Sequence, residues 1–450
     1  MDDSLRNPPV DSLLPGDMTF KLKVDQILVT GNDVTEPEII IREMITKEGA
    51  YTDVETLNQD LKRIYNLGLF NRVDIMPYPS SPTSYNIIIT VEERFYILPI
   101  PIGGFKEGDL NKFWVGLNLK WQNFRGRNET LGLSFGVFYE PFINASYSIP
   151  WIGKKAHFFA DYDIGYSVNN NRSIISASEQ SSGLNTDDIR TYKIFDFKTQ
   201  LTFGKYIFKD FSNSMSVGYN SVTTSDYQPG RTLSLDGNDR YMSYRYNLNY
   251  DTRDSYEYTL AGADIDFEYK KFGFGEIINY NSGTVDIRKF IPIKLGSDYF
   301  ISLGTRITST VFWGGNIANY HHQFFGYGKI IRGWNDYVYE GENLLGIFNE
   351  LRIPVVKPFY VSGHDLPVIK KLPIAQDLSY KFGLYFTLFC DVGGTWNKED
   401  KFIDTRFING YGAGLNFILP FGFIGRTDWA FRHERDFFKG QLIVSLSASF

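Results

Sequence analysis

Met242-Ser243-Tyr244-Arg245-Tyr246-Asn247-Leu248-Asn249-Tyr250-Asp251 alternates without a break between an apolar or aromatic side chain and a polar one. That is the period of a β-strand whose two faces meet two environments. The pattern recurs where Ala261, Ala263, Ile265, Phe267 and Tyr269 alternate with Gly262, Asp264, Asp266, Glu268 and Lys270. It returns at the C-terminus, with Leu442, Val444, Leu446, Ala448 and Phe450 set against Gln441, Ser445, Ser447 and Ser449. A soluble sandwich also alternates, but with its polar face outside and strands of about 5–6 residues. Sixteen such segments centre near residues 99, 117, 134, 146, 160, 198, 217, 245, 264, 282, 304, 349, 386, 413, 427 and 445. An even count ending in an aromatic strand predicts a mostly β fold, a 16-stranded antiparallel transmembrane β-barrel with its apolar side to lipid. Closure removes the exposed edges so long a meander would otherwise carry.

Composition agrees. The 450-residue chain holds 38 Phe, 30 Tyr and 41 Gly, which favours many strands over many helices. No stretch approaches the roughly 18 consecutive apolar residues of a transmembrane helix. A net charge of -6 with no basic stripe argues against nucleic acid as a partner. Cys390 is the only cysteine, which excludes an intrachain disulfide framework and a thiolate metal site. The chain opens Met-Asp-Asp-Ser, without the basic start and apolar core of a secretory signal, and leaves open whether one was removed.

Residues 1–19 are proline-bearing and aperiodic, and read as a flexible lead-in. Residues 20–93 then carry an α/β pattern. Lys23–Thr30 is strand-like and stops at Thr30-Gly31-Asn32, a turn signal. Thr35-Glu36-Pro37-Glu38 reads as a capping box before a short helix, Ile39–Ile45. Thr52-Asp53-Val54-Glu55 repeats that chemistry before Leu57, Leu61, Ile64 and Tyr65, one apolar helix face ended by Gly68. Two strands follow, Asn71–Tyr78 and Tyr85–Glu92, giving β-α-α-β-β.

From residue 94 to 450 the barrel pattern holds, and connection lengths give it an orientation. With the N-terminal module on the periplasmic side, connections after odd strands are outer loops and the others are turns. Residues 167–190 and 312–342 fit as long outer loops, and Pro150–Lys154 and Pro420–Phe421 as tight turns. Residues 355–378 do not fit: they make a long connection, with Lys370-Lys371, on the expected periplasmic side.

No catalytic constellation is found, so the reading is not an enzyme, with no cofactor. His321-His322 lacks metal-ligating spacing, and His157, His364 and His433 are isolated. Asp161/Asp163 and Asp264/Asp266 are paired carboxylates expected as solvated lumen lining. The informative loop is 312–342, aromatic- and glycine-rich, with Arg332 between Ile331 and Gly333. On the strand Tyr380–Gly393, Phe389 and Asp391 fall on the lumen side and Cys390 on the lipid side. Glu350 and Arg352 share what is expected to be the lumen face of theirs. An arginine folded inward needs an acceptor, and Asp391 is its natural bidentate partner.

These residues carry a resemblance. Ile27 with Thr30-Gly31-Asn32, the Ile40–Glu43 helix and Leu67-Gly68-Leu69-Phe70-Asn71 resemble a POTRA domain, a module that takes extended polypeptides along a sheet edge. Ile331-Arg332-Gly333-Trp334 is similar to the inward loop motif Val-Arg-Gly-Phe/Tyr of the BamA/TamA superfamily. Phe389-Cys390-Asp391-Val392-Gly393 resembles its Phe-x-Asp-x-Gly strand. Asp251-Thr252-Arg253-Asp254, Glu350-Leu351-Arg352-Ile353-Pro354 and the strand ending in Phe450 match further positions. The resemblance covers residues 20–450 and departs from the family at Trp334 and in carrying a single POTRA domain, where bacterial assembly factors usually carry several.

It implies a protein of the bacterial outer membrane with its POTRA domain in the periplasm, inserting outer-membrane proteins or translocating polypeptides. It implies that Arg332 contacts Asp391, and that clients meet a lateral seam between the first strand, near Tyr96–Gly104, and the last, Gln441–Phe450. The implied partners are unfolded outer-membrane or secreted polypeptides, the lipid bilayer, and periplasmic or lipoprotein accessory subunits. The alternatives are a translocator with one dedicated partner and a barrel subunit or pore of a larger complex.

Overall fold

A computed structural model describes residues 21–105, 111–153, 157–171, 173, 192–208, 210–225, 227, 231–256, 258–296, 299–326, 328–335, 337–362, 379–419, 423–432 and 440–447. Phe450, His364, His433 and the turn at Pro420–Phe421 lie outside the described residues. So does most of 167–190 and of 355–378.

The N-terminal module runs β1 (Leu22–Thr30), α1 (Pro37–Ile41), β2 (Tyr51–Thr52), α2 (Val54–Tyr65), β3 (Phe70–Ser81) and β4 (Ser84–Glu93). Its sheet order is β2-β1-β4-β3, with β1 parallel to β4 and the other pairs antiparallel, so β3 is an edge strand. Leu57, Leu61 and Ile64 of α2 pack on Val24, Val73, Ile87 and Ile89 of the sheet in one core. Neither capping box forms. At α1 the cap position is Glu36, with no side-chain bond, because the Thr35 hydroxyl is taken by Glu93 and Tyr96. At α2 the cap is Asp53, whose carboxylate accepts from Thr56 N at 2.8 Å. That bond holds the Asp53 carboxyl below its ordinary range. The first helix also stops at Ile41 rather than Ile45.

Two positions require glycine-type backbone here. Gly31 has φ +80° and lies where any Cβ would strike the Val91 carbonyl. Gly68, at φ +70°, ends the α2 segment and turns the chain into Leu69 and the fully buried Phe70. Asn32 donates its side-chain amide to the Thr35 carbonyl at 2.9 Å.

Sixteen further strands form one sheet. They are β5 (Ile97–Phe105), β6 (Phe113–Phe124), β7 (Glu129–Phe138), β8 (Phe142–Ile152), β9 (Phe158–Asn170) and β10 (Lys193–Phe208). Next come β11 (Phe211–Thr224), β12 (Asn238–Asp251), β13 (Gly262–Phe272), β14 (Tyr280–Lys294) and β15 (Phe300–Gly314). A small hairpin, β16 (Gln323–Phe325) with β17 (Tyr339–Gly341), interrupts the meander. It resumes with β18 (Asn343–Ser362), β19 (Ser379–Trp396), β20 (Ile408–Ile418), β21 (Ile424–Phe431) and β22 (Gln441–Ser447). Each strand neighbours the next in sequence, and β5 and β22 stand at the two ends of the order.

Alternation along β19 shows the two faces: Thr387, Phe389 and Asp391 are buried while Leu388 and Cys390 are exposed. On β7 the exposed side chains are apolar, Leu131, Leu133, Phe135 and Val137, as a lipid-facing surface requires.

The chain divides into two compact units. One holds the α/β module with residues 116–135 and 143–163, and the other holds 103–115, 136–142 and 164–450. Within the first, the turn between β6 and β7 fastens to the β1–α1 loop. Glu36 N donates to the Gly126 carbonyl at 2.9 Å, Asn123 Nδ2 to Thr35 Oγ1 at 2.8 Å, and Arg127 Nε to Glu36 Oε1 at 2.8 Å. Asn123, Arg125, Gly126 and Asn128 all have positive φ, a costly turn for non-glycine residues.

Three expectations need correction. Tyr96 lies just outside the first barrel strand: it precedes β5, its ring packs in the module's core, and its hydroxyl meets Thr35 at 3.1 Å. The strand β18 runs on to Ser362, so residues 355–362 of the expected 355–378 connection are strand. Register shifts after Pro354 and Val356 absorb the proline that lacks a ladder donor. Asp264 is buried rather than solvated, since Arg253 (3.3 Å) and Arg288 (3.6 Å) flank it.

Candidate functional site

The connection from β15 to β18 spans 315–342, slightly shorter than expected because Phe312 remains in the ladder. The β16–β17 hairpin closes its base, pairing Gln323 with Gly341 and Phe325 with Tyr339. Beyond it the chain turns at Gly326 (φ +116°) and Gly333 (φ +93°), conformations that favour glycine. These turns carry Arg332 onto the buried faces of β18, β19, β20 and β21.

Arg332 and Asp391 form a fork. Nε reaches Oδ2 at 2.7 Å and an Nη reaches Oδ1 at 2.7 Å, the planar bidentate geometry only arginine offers a carboxylate. The backbone N of Arg332 also donates to Asp391 at 3.3 Å. The guanidinium carbon stands 3.7 Å from the centre of the Phe389 ring, adding a cation–π contact. The remaining nitrogen, Nη1, faces both Glu350 at 3.1 Å and Asp428 at 3.6 Å.

Glu350 is the hub. It accepts from Arg352 Nε at 2.9 Å, lies 3.8 Å from Arg426, and receives Asn416 Nδ2 at 3.3 Å. Arginines 332, 352 and 426 thus balance carboxylates 350, 391 and 428 in a charge-neutral cluster. Charge balance is what makes such burial tolerable, because removing one partner strands the rest.

Apolar packing holds the loop around this cluster. Phe325, Ile331 and Trp334 pack with Leu344 and Ile408. Trp334 donates its indole N–H to the Asn409 carbonyl at 2.6 Å, and Arg432 stacks over its ring at 4.7 Å. Gly346 and Gly393 leave the socket for the Phe325 ring, since a Cβ on either would press into it.

Other residues escaped sequence reasoning. Gly410, Gly412 and Gly414 alternate along β20, so they share one face. A Cβ there would meet, in order, the Arg332 carbonyl, the Phe389 ring and the Asp428 carboxylate. The signal was present: glycines at i, i+2, i+4 in a strand mark close approach by something else. Asp428 and Arg426 were readable from their own i, i+2 alternation on β21. The turn 252–261 was matched only as a pattern; Arg253 pairs with Asp251 at 2.7 Å there.

The sequence-expected residues do not all converge. Ile331, Arg332, Gly333, Trp334, Phe389, Asp391, Gly393, Glu350 and Arg352 meet at this one site. Gly31, Asn32, Gly68 and Phe70 belong to the α/β module, and Gln441 pairs with Ala430 at the start of β22. Among the described residues, no cluster of His, Cys, Asp and Glu is arranged to hold a metal ion.

Comparison with known proteins places this geometry. The Omp85 superfamily domain matches residues 123–437, and the POTRA module, described as a surface antigen variable number repeat, matches residues 22–94. Among solved structures, BamA from Haemophilus ducreyi lacking POTRA domains 1-3 is similar at 17% identity and TM-score 0.66, over 94% of this chain and 83% of that one. CdiB from Escherichia coli is similar at 14% identity and TM-score 0.60, over 95% of this chain and 75% of that one. CdiB from Acinetobacter baumannii is similar at 11% identity and TM-score 0.54, over 91% and 70%. At these identities the likeness is one of fold: a 16-stranded antiparallel transmembrane β-barrel behind one POTRA domain. With its superfamily domain matched from Asn123 to the end of β21 and beyond, the chain belongs to the Omp85 superfamily of outer-membrane barrels.

Proposed function

We propose that this chain is an outer-membrane protein assembly and insertion factor. Unfolded outer-membrane polypeptides add to the free edge of the POTRA sheet at β3, where backbone groups give affinity without demanding one sequence. They pass to a lateral seam between β5 and β22, where strand-by-strand pairing satisfies backbone groups entering the bilayer. The observation that carries this reading is continuity: only Arg94–Tyr96 separates β4 of the POTRA sheet from β5, which ends the barrel's strand order.

In this reading residues 1–19 are a lead-in, 20–93 the receiving domain and 94–450 the barrel, with loop 312–342 folded inward. Ile331-Arg332-Gly333-Trp334 is the locking motif, Phe389, Asp391 and Gly393 its partner strand, and Glu350 and Arg352 its support. The lipid bilayer is a working partner, and periplasmic or lipoprotein subunits are candidate accessories.

The test is reconstitution. Purified protein in liposomes accelerates protease-resistant folding of an unfolded eight-stranded barrel client over empty liposomes. Equal rates with and without the protein overturn the reading.

A second reading, export of a dedicated polypeptide through the barrel, is favoured by the loop itself. A segment held inside by non-covalent contacts alone is a removable obstruction. That reading predicts client passage into the vesicle interior in place of folding in its membrane.

A further inference from the structure

The connection 252–261 between β12 and β13 and the connection 315–342 between β15 and β18 leave the sheet at opposite ends of its strands. Antiparallel connections alternate ends, and two others, β13–β14 and β14–β15, intervene. Both nevertheless end in the same buried cluster. From the loop side, Arg332 reaches Glu350 at 3.1 Å. From the turn side, the Thr259 carbonyl accepts from Arg352 Nη1, and the Tyr258 ring lies 4.3 Å beneath the same guanidinium. Arg352 bonds Glu350 at 2.9 Å, and Asn416 bridges Glu350 (3.3 Å) and the Tyr258 hydroxyl (3.1 Å).

Tyr258, Thr259 and Leu260 are therefore drawn in rather than left at the rim. Tyr258 and Thr259 are buried, Tyr258 packs with Tyr385, Ile418 and Ile424, and the Leu260 carbonyl accepts from Ser302 Oγ at 2.6 Å. The turn's polar contacts with the wall run through Arg352, Asn416 and Ser302, beside the apolar packing of Tyr258. Arg352 is fully buried, with Phe290 5.0 Å away on its other side. An arginine so enclosed cannot relax toward water when Glu350 loses its other partner. It must re-aim within the cluster, and Thr259 and Tyr258 are what it holds.

We propose that Arg352 is a positioning residue that couples the two mouths of the barrel. Engagement of Arg332 by Glu350 and Asp391 sets Glu350, Glu350 sets Arg352, and Arg352 keeps the 252–261 turn folded into the lumen. Release of the outer loop loosens the opposite turn. By thermodynamic reciprocity, release of the turn loosens the loop. This coupling holds whichever client class the barrel serves, because it joins parts of the barrel alone.

The experiment uses the full chain in detergent and in liposomes, with exposed Cys390 changed to serine. One reporter is Thr259→Cys, buried in the turn, and the other Ile331→Cys, buried in the loop. Each is labelled with a hydrophilic maleimide in the background of Arg332→Ala, of Arg352→Ala, and of both. Coupling of ordinary size changes the rates by about 5–150-fold. Arg332→Ala speeds labelling at 259, Arg352→Ala speeds labelling at 331, and the double variant exceeds neither single by more than about twofold. Should an alanine variant fail to fold, Glu350→Gln and Arg352→Lys give the same readout with the side-chain volume kept. The inference is overturned if Arg332→Ala exposes residue 331 while residue 259 labels at the parental rate. It is equally overturned if the double variant shows the product of the two single effects.

Discussion

The backbone carbonyl of Arg332 lies against Gly410 on β20, in the space that a Cβ would occupy. The loop is held not only by charge but by a track of missing side chains. Gly410→Val leaves every charged group in place and pushes the loop off its seat. Overpacking of this kind costs roughly 1–3 kcal/mol. Limited proteolysis at Lys329 is the measurement: cleavage accelerates in Gly410→Val as it does when Arg332 is removed, while the barrel still migrates as a folded species.

Arg332→Ala strands Asp391 and Glu350 in a buried site. Breaking such a pair costs about 3–5 kcal/mol, much of it the penalty on the partners left behind. Arg332→Lys restores the charge but not the two-pronged fork, and recovers only part of the loss. The combined Arg332→Ala, Asp391→Asn variant melts higher than Arg332→Ala alone, since the orphaned charge is gone. Thermal melts of the four proteins in one detergent decide this.

Acid acts on the outer loop through His321. Its ring is enclosed by Tyr241, Phe272, Tyr280 and Tyr320, with Nδ1 2.6 Å from the Tyr280 hydroxyl. Burial, with Lys270 and His322 nearby, pushes its pKa down to about 3. The folded pKa lies below the unfolded value near 6.5. The stability it protects is therefore complete above about pH 6.5 and drains away as pH falls toward 3. Between pH 7.5 and 4.5 the protein loses roughly 2–3 kcal/mol from this group. The loss shows as a falling melting temperature that His321→Phe largely abolishes.

The POTRA domain is fastened to the β6–β7 turn by buried Asn123 and exposed Arg127. Asn123→Ala removes a buried donor to Thr35 and loosens residues 32–37 in hydrogen exchange by about tenfold, the equivalent of about 1.4 kcal/mol. Arg127→Glu does less, because an exposed ion pair contributes about 0–1 kcal/mol. The charge-swapped pair Glu36→Arg, Arg127→Glu returns exchange to the parental rate.

Much of this was legible in the sequence, for a physical reason. Period-2 alternation is imposed by two environments on every strand, so all sixteen centres fall within observed strands. The fork between Arg332 and Asp391 was legible because an inward arginine demands an acceptor and Asp391 alternates inward beside Phe389. What was not legible depends on neighbours that sequence order does not reveal. Tyr96 reads as the start of a strand until its hydroxyl is found bonded to Thr35. Thr35 reads as a helix cap until Glu93 is seen to occupy it. The glycines of β20 carry no chemistry of their own and acquire meaning only from the carbonyl, ring and carboxylate pressed against them. Asp264 reads as solvated because its arginine partners lie on the 252–261 turn and on β14.

Quantitative outer-membrane proteomics after depletion of this protein tests the proposal that the barrel assembles other outer-membrane proteins. Many barrel proteins are expected to fall together, and complementation with Arg332→Ala to restore them only in part. An outer membrane whose barrel proteins stay at parental abundance, with a single secreted polypeptide lost, contradicts it.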